Sequence, residues 1–257
     1  MSDSNNSVAI GKKIFFLHPS AITINDVIAE LAQEEFEVYY IKDDLKLKKA
    51  LSIYPSSILF ASINEAMKES AWEELIRSII EKSETTGVLI GIIASMNNDF
   101  LKNKYLEKYK IRCGFTVIKS DMDAAARQLR DILNEVNAKG RRKYIRLIME
   151  KETDATLNLP IHGTYVKGYI KDISVVGFSC SFSDEVGLKK NGLFSDIQLK
   201  LHSQLLRVEG VVFGSRMDGA DQVYVILFTQ RVDPSVHTKI RKYIQSSLQH
   251  RMDEELK

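Results

Sequence analysis

The sequence predicts two domains: an α/β domain on a five-stranded parallel sheet, then a small antiparallel β-barrel with a C-terminal helix. Three observations predict it. Up to residue 138, short apolar runs alternate with segments of helical periodicity. Beyond residue 147, apolar residues recur at every second position. Between the two lies a short basic stretch, GRRKYIR, at residues 140–146. A chain of 257 residues with 44% hydrophobic content can bury a core in each of two ordinary domains.

The first domain spans 10–138. KKIFFLH (12–18) is a short buried strand, and Ile24, Val27, Ile28 and Leu31 follow at the spacing of one helix face. FEVYYI (36–41) is a second strand, LKLKKAL (45–51) a short helix and SSILFASI (56–63) a third strand. Trp72, Leu75, Ile76 and Ile79 mark the next helix face, and VLIGIIAS (88–95) is the fourth strand. A polar helix through Tyr105 and Tyr109 leads to CGFTVIKS (113–120), and Leu129, Ile132, Leu133 and Val136 mark the last helix. Near-continuous apolar strands, each followed by a helix, imply a parallel sheet covered on both faces.

The second domain spans 147–250, after a linker at 139–147. Phe178, Cys180 and Phe182 alternate with polar-type neighbours, as do Ile197, Leu199 and Leu201; Val208, Gly210 and Val212; and Val223, Val225 and Leu227. Turn signals at 162–163, 175–177, 191–192 and 218–219 break these runs, as a small antiparallel barrel requires. After Asp233-Pro234, the residues Val236, Ile240, Ile244 and Leu248 recur at i+4 and form the apolar face of a helix that packs on the barrel.

Composition narrows the function classes. Residues 1–138 carry 17 Lys+Arg against 20 Asp+Glu, and 139–257 carry 19 against 14, so the halves stand at −3 and +5. The basic half permits an anionic partner. The polar N-terminus and the lack of 18 uninterrupted apolar residues point to a cytoplasmic protein without membrane insertion. Cys113 and Cys180 sit in apolar runs and fit reduced core thiols, and the five histidines show no ligand spacing, so no metal site is expected. No nucleophile motif, Gly-rich phosphate loop or carboxylate pair at useful spacing appears, which speaks against an enzyme. A nucleic-acid-binding barrel would need base-stacking aromatics along a strand, and none is evident.

In order and length of elements, and in Lys119 at the end of the fifth strand, residues 10–138 resemble a response-regulator receiver domain. Receivers hold Mg²⁺ with an acidic pair after the first strand and accept phosphate on an aspartate ending the third. Those places here read His18-Pro19 and Ser62. A hard cation needs carboxylate oxygens, and a neutral hydroxyl is a poor replacement for an acyl-phosphate-forming carboxylate. The expectation is a receiver-like domain lacking the phospho-acceptor. The alternative is a phosphorelay regulator with a β-barrel output domain, in which Ser62 would be required.

Arg142 and Arg146 form R-x-x-x-R, and 26 residues after Arg146 stand Asp172, Ser174 and Gly177 as D-x-S-x-x-G. Each motif alone is common; together, at the head of an alternating pattern, they resemble a PilZ domain over about residues 140–250. The resemblance implies that the arginine pair precedes the first barrel strand, that the second motif lies at a strand end and turn, and that both clamp cyclic di-GMP. The chemistry agrees. A planar guanidinium can bond phosphate oxygens or guanine O6 and N7 in pairs, or stack on the base. Asp172 can accept from guanine N1–H and the exocyclic amine, donors that adenine does not present together. Ser174 adds an adaptable hydroxyl, and Gly177 serves the turn so that backbone can approach the ligand.

Arg141 offers a third guanidinium, on which two ligands per chain are expected, while Tyr144 and Ile145 dock the linker on the barrel. Four cations in seven positions repel one another. An anionic ligand that neutralises them would order the linker, change the domain arrangement and so signal to a protein partner in motility, exopolysaccharide or biofilm control.

Overall fold

The computed structural model describes residues 11–64, 66–118, 121–151 and 155–257. The chain divides into two compact units, one ending at Lys143 and including Gln249–Lys257, the other Tyr144–Leu248. Among the described residues, no helix is long and apolar enough to cross a membrane.

In the first unit, strands β1 (Ile14–Leu17), β2 (Val38–Ile41), β3 (Ile58–Ser62), β4 (Leu89–Ala94) and β5 (Phe115–Val117) form one sheet in the order β2-β1-β3-β4-β5. Every pairing is parallel. The continuous apolar runs have their reason here: all residues of β1 and β3 are buried, because helices cover both faces. The arrangement fits a receiver-like domain.

A π-helical turn (Thr23–Ile28) runs into α1 (Ala29–Gln33), with Val27, Ile28 and Leu31 buried as the periodicity predicts. Helix α2 (Asp44–Ile53) starts where the Asp43 side chain accepts from the Lys46 N–H, and α5 (Met122–Glu135) where Asp121 accepts from Ala124. Helix α3 (Glu69–Thr86) stops at Gly87, whose φ of 69° few other residues tolerate.

The polar character of the fourth helical segment has a physical cause. Helix α4 (Asp99–Asn103), which continues as a π-helical turn (Lys104–Lys108), is held to α3 by charge more than by apolar burial. Lys104 Nζ lies 3.1 Å from Glu69 and 2.6 Å from Glu73, and Tyr105 Oη donates to Glu69 at 2.9 Å. Lys104, Tyr109 and Lys108 together hold the Glu73 carboxyl down at about 2. At the sheet edge, Gln249 both donates to and accepts from the backbone of Tyr40, satisfying groups that an edge strand leaves open.

In the second unit, β7 (Ala155–Ile161), β8 (Thr164–Ser174), β9 (Gly177–Phe182), β10 (Leu193–Leu201), β11 (Gln204–Asp218) and β12 (Asp221–Phe228) form a closed six-stranded antiparallel barrel. Closure comes from the pairing of β8 with β9. The short β6 (Leu147–Ile148) pairs with the end of β8, beyond the reach of β7. Ile197, Leu199, Leu201, Val208 and Val212 fill the interior as the alternation predicts, and Ile240, Tyr243 and Ile244 of α6 (Pro234–Glu255) pack on the same core.

One predicted face is corrected. On β12 the barrel core takes Tyr224 and Ile226; of the expected residues, Val223 is buried but lies outside that cluster, Val225 is half-buried and Leu227 is 37% exposed. In VYVILF both phases are apolar, so alternation could not choose the face. Pairing chooses it: Tyr224 stands opposite Cys180, and Ile226 opposite Phe178. Cys113 and Cys180 are buried free thiols; burial pushes Cys113 up to about 12 and raises Cys180 too.

The sheet of the first unit leaves no room at Gly91 on β4. An added Cβ would lie 2.5 Å from the Phe60 ring and 2.8 Å from the Cys113 carbonyl oxygen. Gly91→Ala is therefore expected to lower stability by about 1–3 kcal/mol, the usual cost of overpacking. Chemical denaturation checks it, and an unchanged midpoint would contradict this packing.

Candidate functional site

The second motif lies where β8 ends, and the backbone there is irregular. Inward residues run Gly168, Ile170 and then Ile173, so a spacing of two gives way to three. The register against β9 shifts at the same place, with Ile170 opposite Cys180 but Asp172 opposite Ser179. This β-bulge at Lys171 leaves both Lys171 and Asp172 partly exposed. Uninterrupted alternation would aim Asp172 into an apolar interior, where an unpaired carboxylate is costly.

Once outside, Asp172 is held. One carboxylate oxygen accepts from the Ser179 hydroxyl, and the other lies 3.8 Å from Arg146 Nη1. The side chain of Asp172 is 18% exposed and that of Arg146 50%. Arg146 owes its place to its neighbour: Leu147 is fully buried and pairs with Ile173, while Ile148 pairs with Asp172. At 3.8 Å the contact is an ion pair too long for a hydrogen bond, of a half-exposed kind worth about 0–1 kcal/mol. An incoming anion can compete for that guanidinium.

Ser174 is buried at 5% exposure, and its hydroxyl is engaged inside the turn. It donates to the Gly177 carbonyl at 3.2 Å and accepts from the Val176 N–H at 3.4 Å. Gly177 has a reason independent of any ligand: a Cβ there would sit 2.3 Å from the Ile226 carbonyl oxygen, where β9 closes against β12. The structure thus brings Arg146, Asp172, Ser174 and Gly177 together in the barrel unit. Arg141 and Arg142 are exposed and belong to the first unit. Tyr144 and Ile145 are half-buried, and Ile145 packs against the barrel core.

Two residues at this site escape sequence reasoning. Ser179, the partner of Asp172, reads only as a small residue within an apolar strand. His237 on α6 donates from Nδ1 to the Val175 carbonyl at 2.8 Å, and the Phe228 ring meets it edge-on at 6.1 Å. It anchors the motif turn to the helix. No local pattern announces it, since its partner is 62 positions away.

In the first unit, Ser62 ends β3 and His18 follows β1. Ser62 is buried at 4% exposure, and its Oγ has no hydrogen-bond partner among the described residues. His18 adopts a φ of 49°, and its Nε2 lies 3.0 Å from Asp44 Oδ1. Lys119 lies outside the described residues.

Residues 140–246 match the PilZ domain family. No curated protein matches the chain. Among solved structures, the chain is similar to the PilZ domain of YcgR from Escherichia coli with c-di-GMP, at 16% identity and a TM-score of 0.38, covering 45% of this chain and 96% of that one. It is also similar to the K. pneumonia MrkH–c-di-GMP complex, at 18% identity and a TM-score of 0.36, covering 46% and 55%. A third is the Bacillus subtilis inhibitor of motility MotI/DgrA, at 17% identity and a TM-score of 0.35, covering 42% and 50%. The chain thus spans about half the length of the latter two. The family match falls on the barrel and both motifs: this chain carries a PilZ domain at residues 140–246.

Proposed function

We propose that the protein is a cytoplasmic cyclic di-GMP receptor, in which Arg141, Arg142 and Arg146 of the linker and the Asp172–Gly177 turn take the ligand. The observation that carries this reading is Asp172, held outside the barrel by the bulge and set beside Arg146 at 3.8 Å. A carboxylate and a guanidinium side by side suit a ligand that presents guanine N–H donors and phosphodiester oxygens. Ser179 holds the carboxylate, while Ser174 and His237 hold the turn beneath it.

Ligand binding orders the linker, shifts the arrangement of the two domains and so signals to a protein partner, with motility or biofilm control as the output class. The receiver-like domain takes no part in phosphotransfer, and the protein acts as a receptor rather than an enzyme, on neither nucleic acid nor membrane. The test is a calorimetric titration of the full chain with cyclic di-GMP, with cyclic di-AMP as control. Saturable binding selective for cyclic di-GMP is expected; no binding would overturn the function, and equal binding of both would overturn the role of Asp172.

Arg142→Ala and Arg146→Ala each remove charge-assisted hydrogen bonds worth roughly 1.5–3 kcal/mol, so each is expected to weaken binding about ten- to a hundredfold. Both side chains are exposed, so circular dichroism and thermal melting should stay as in the parent. Unchanged affinity in both variants would contradict the site.

Stoichiometry reports on Arg141. Two stacked cyclic di-GMP molecules bring four phosphodiesters into a small volume, and a third guanidinium offsets their repulsion or stacks on an outer guanine. Two ligands per chain are expected at saturation, falling toward one in Arg141→Leu. A parent ratio of one, or a ratio indifferent to the substitution, would assign Arg141 to solvated surface.

A further inference from the structure

A cavity of about 350 Å³ opens at the carboxyl end of the parallel sheet. Ser20 and Thr23 line it from the segment after β1, Ser62 and Asn64 from the end of β3, and Ser95 from the end of β4. Its apolar walls include Ile93 and Ile118. The place follows from topology. In the order β2-β1-β3-β4-β5, the connections leaving β1 and β3 depart to opposite faces, and open α/β sheets take their ligands in the crevice so formed.

Two observations beyond the topology point to a ligand. Ser62 lines the cavity and is more than nine-tenths buried, and its hydroxyl has no hydrogen-bond partner among the described residues. Buried polar groups are seldom left so, because the lost hydrogen bond to water is not replaced. Thr23, buried at 3% exposure, opens a π-helical turn, a rare geometry that gathers at functional sites. Its hydroxyl lies 2.9 Å from that of Ser20, while Asn64 Oδ1 accepts from the Ser95 N–H at 2.7 Å, so the polar side of the cavity is already organised.

We infer that this cavity binds a small, uncharged molecule carrying a flat ring with an amide-type edge, such as a nucleobase or nicotinamide. Hydroxyls and a carboxamide supply both donors and acceptors, which an amide edge can match. The isoleucines take the face of a ring. No charged side chain lines the cavity among the described residues, so nothing there favours an ionic ligand. A phosphoryl group with Mg²⁺ would ask for carboxylate oxygens. The inference is independent of the cyclic di-GMP reading.

The experiment is a titration of the ¹⁵N-labelled full chain with nicotinamide and with uracil, followed by amide shifts, with acetyl phosphate plus Mg²⁺ as the charged comparison. At least one neutral probe is expected to shift Ser62, Asn64 and Ser95 saturably. Ser62→Ala should weaken that binding about two- to tenfold, the range for one hydrogen bond, while leaving the titration with cyclic di-GMP as in the parent. The inference is overturned if neither neutral probe moves these amides, if Ser62→Ala binds as well as the parent, or if only acetyl phosphate moves them.

Discussion

One extra residue in β8, Lys171, keeps Asp172 out of the barrel interior, and the candidate ligand site rests on that displacement. The bulge reverses the phase of the strand, so Ile170 and Ile173 both point inward while Asp172 turns out to face Ser179. From there the site assembles through pairing. Leu147 locks into the core opposite Ile173 and so fixes the residue before it, Arg146, within ion-pair range of Asp172. A cation and an anion are thereby held at the barrel surface by buried neighbours. The turn that follows is over-determined: Ser174 bonds across it, Gly177 admits the β12 backbone, and His237 ties Val175 to α6.

The two units use the same economy of design. In each, apolar side chains fill the regular strands, and the polar side chains of interest gather where strands end. In the parallel sheet that place is the carboxyl edge, with Ser62 at the end of β3, Asn64 beyond it and Ser95 beyond β4. In the barrel it is the junction of β6, β8 and β9. The chemistry differs accordingly, from uncharged hydroxyls and a carboxamide in the first to guanidinium and carboxylate in the second.

Much of the fold was legible, for reasons that also explain the misses. Burial on both faces makes a parallel strand a continuous apolar run, so IFFL and ILFAS are visible as strands without ambiguity. Burial on one face makes β10 alternate, and Ile197, Leu199 and Leu201 do line the core. On β12 both phases are apolar, and only the partners Phe178 and Cys180 decide which faces inward. The two motifs were legible as residue types at a spacing. Nothing in GYIKDIS marks the extra residue that aims Asp172, however, and neither Ser179 nor His237 carries a local signal for a role set by a distant partner. The buried, inward-bonded hydroxyl of Ser174 was equally hidden, since a serine in a turn can face either way.

The central claim is that the linker and the motif turn share a single cyclic di-GMP site, whatever number of ligand molecules it holds. Amide hydrogen exchange of the full chain, with and without cyclic di-GMP, tests it most directly over residues 141–148 and 172–179. The account predicts that the ligand slows exchange in both segments over the same concentration range; slowing in only one of them, or in neither while the ligand binds, would contradict it.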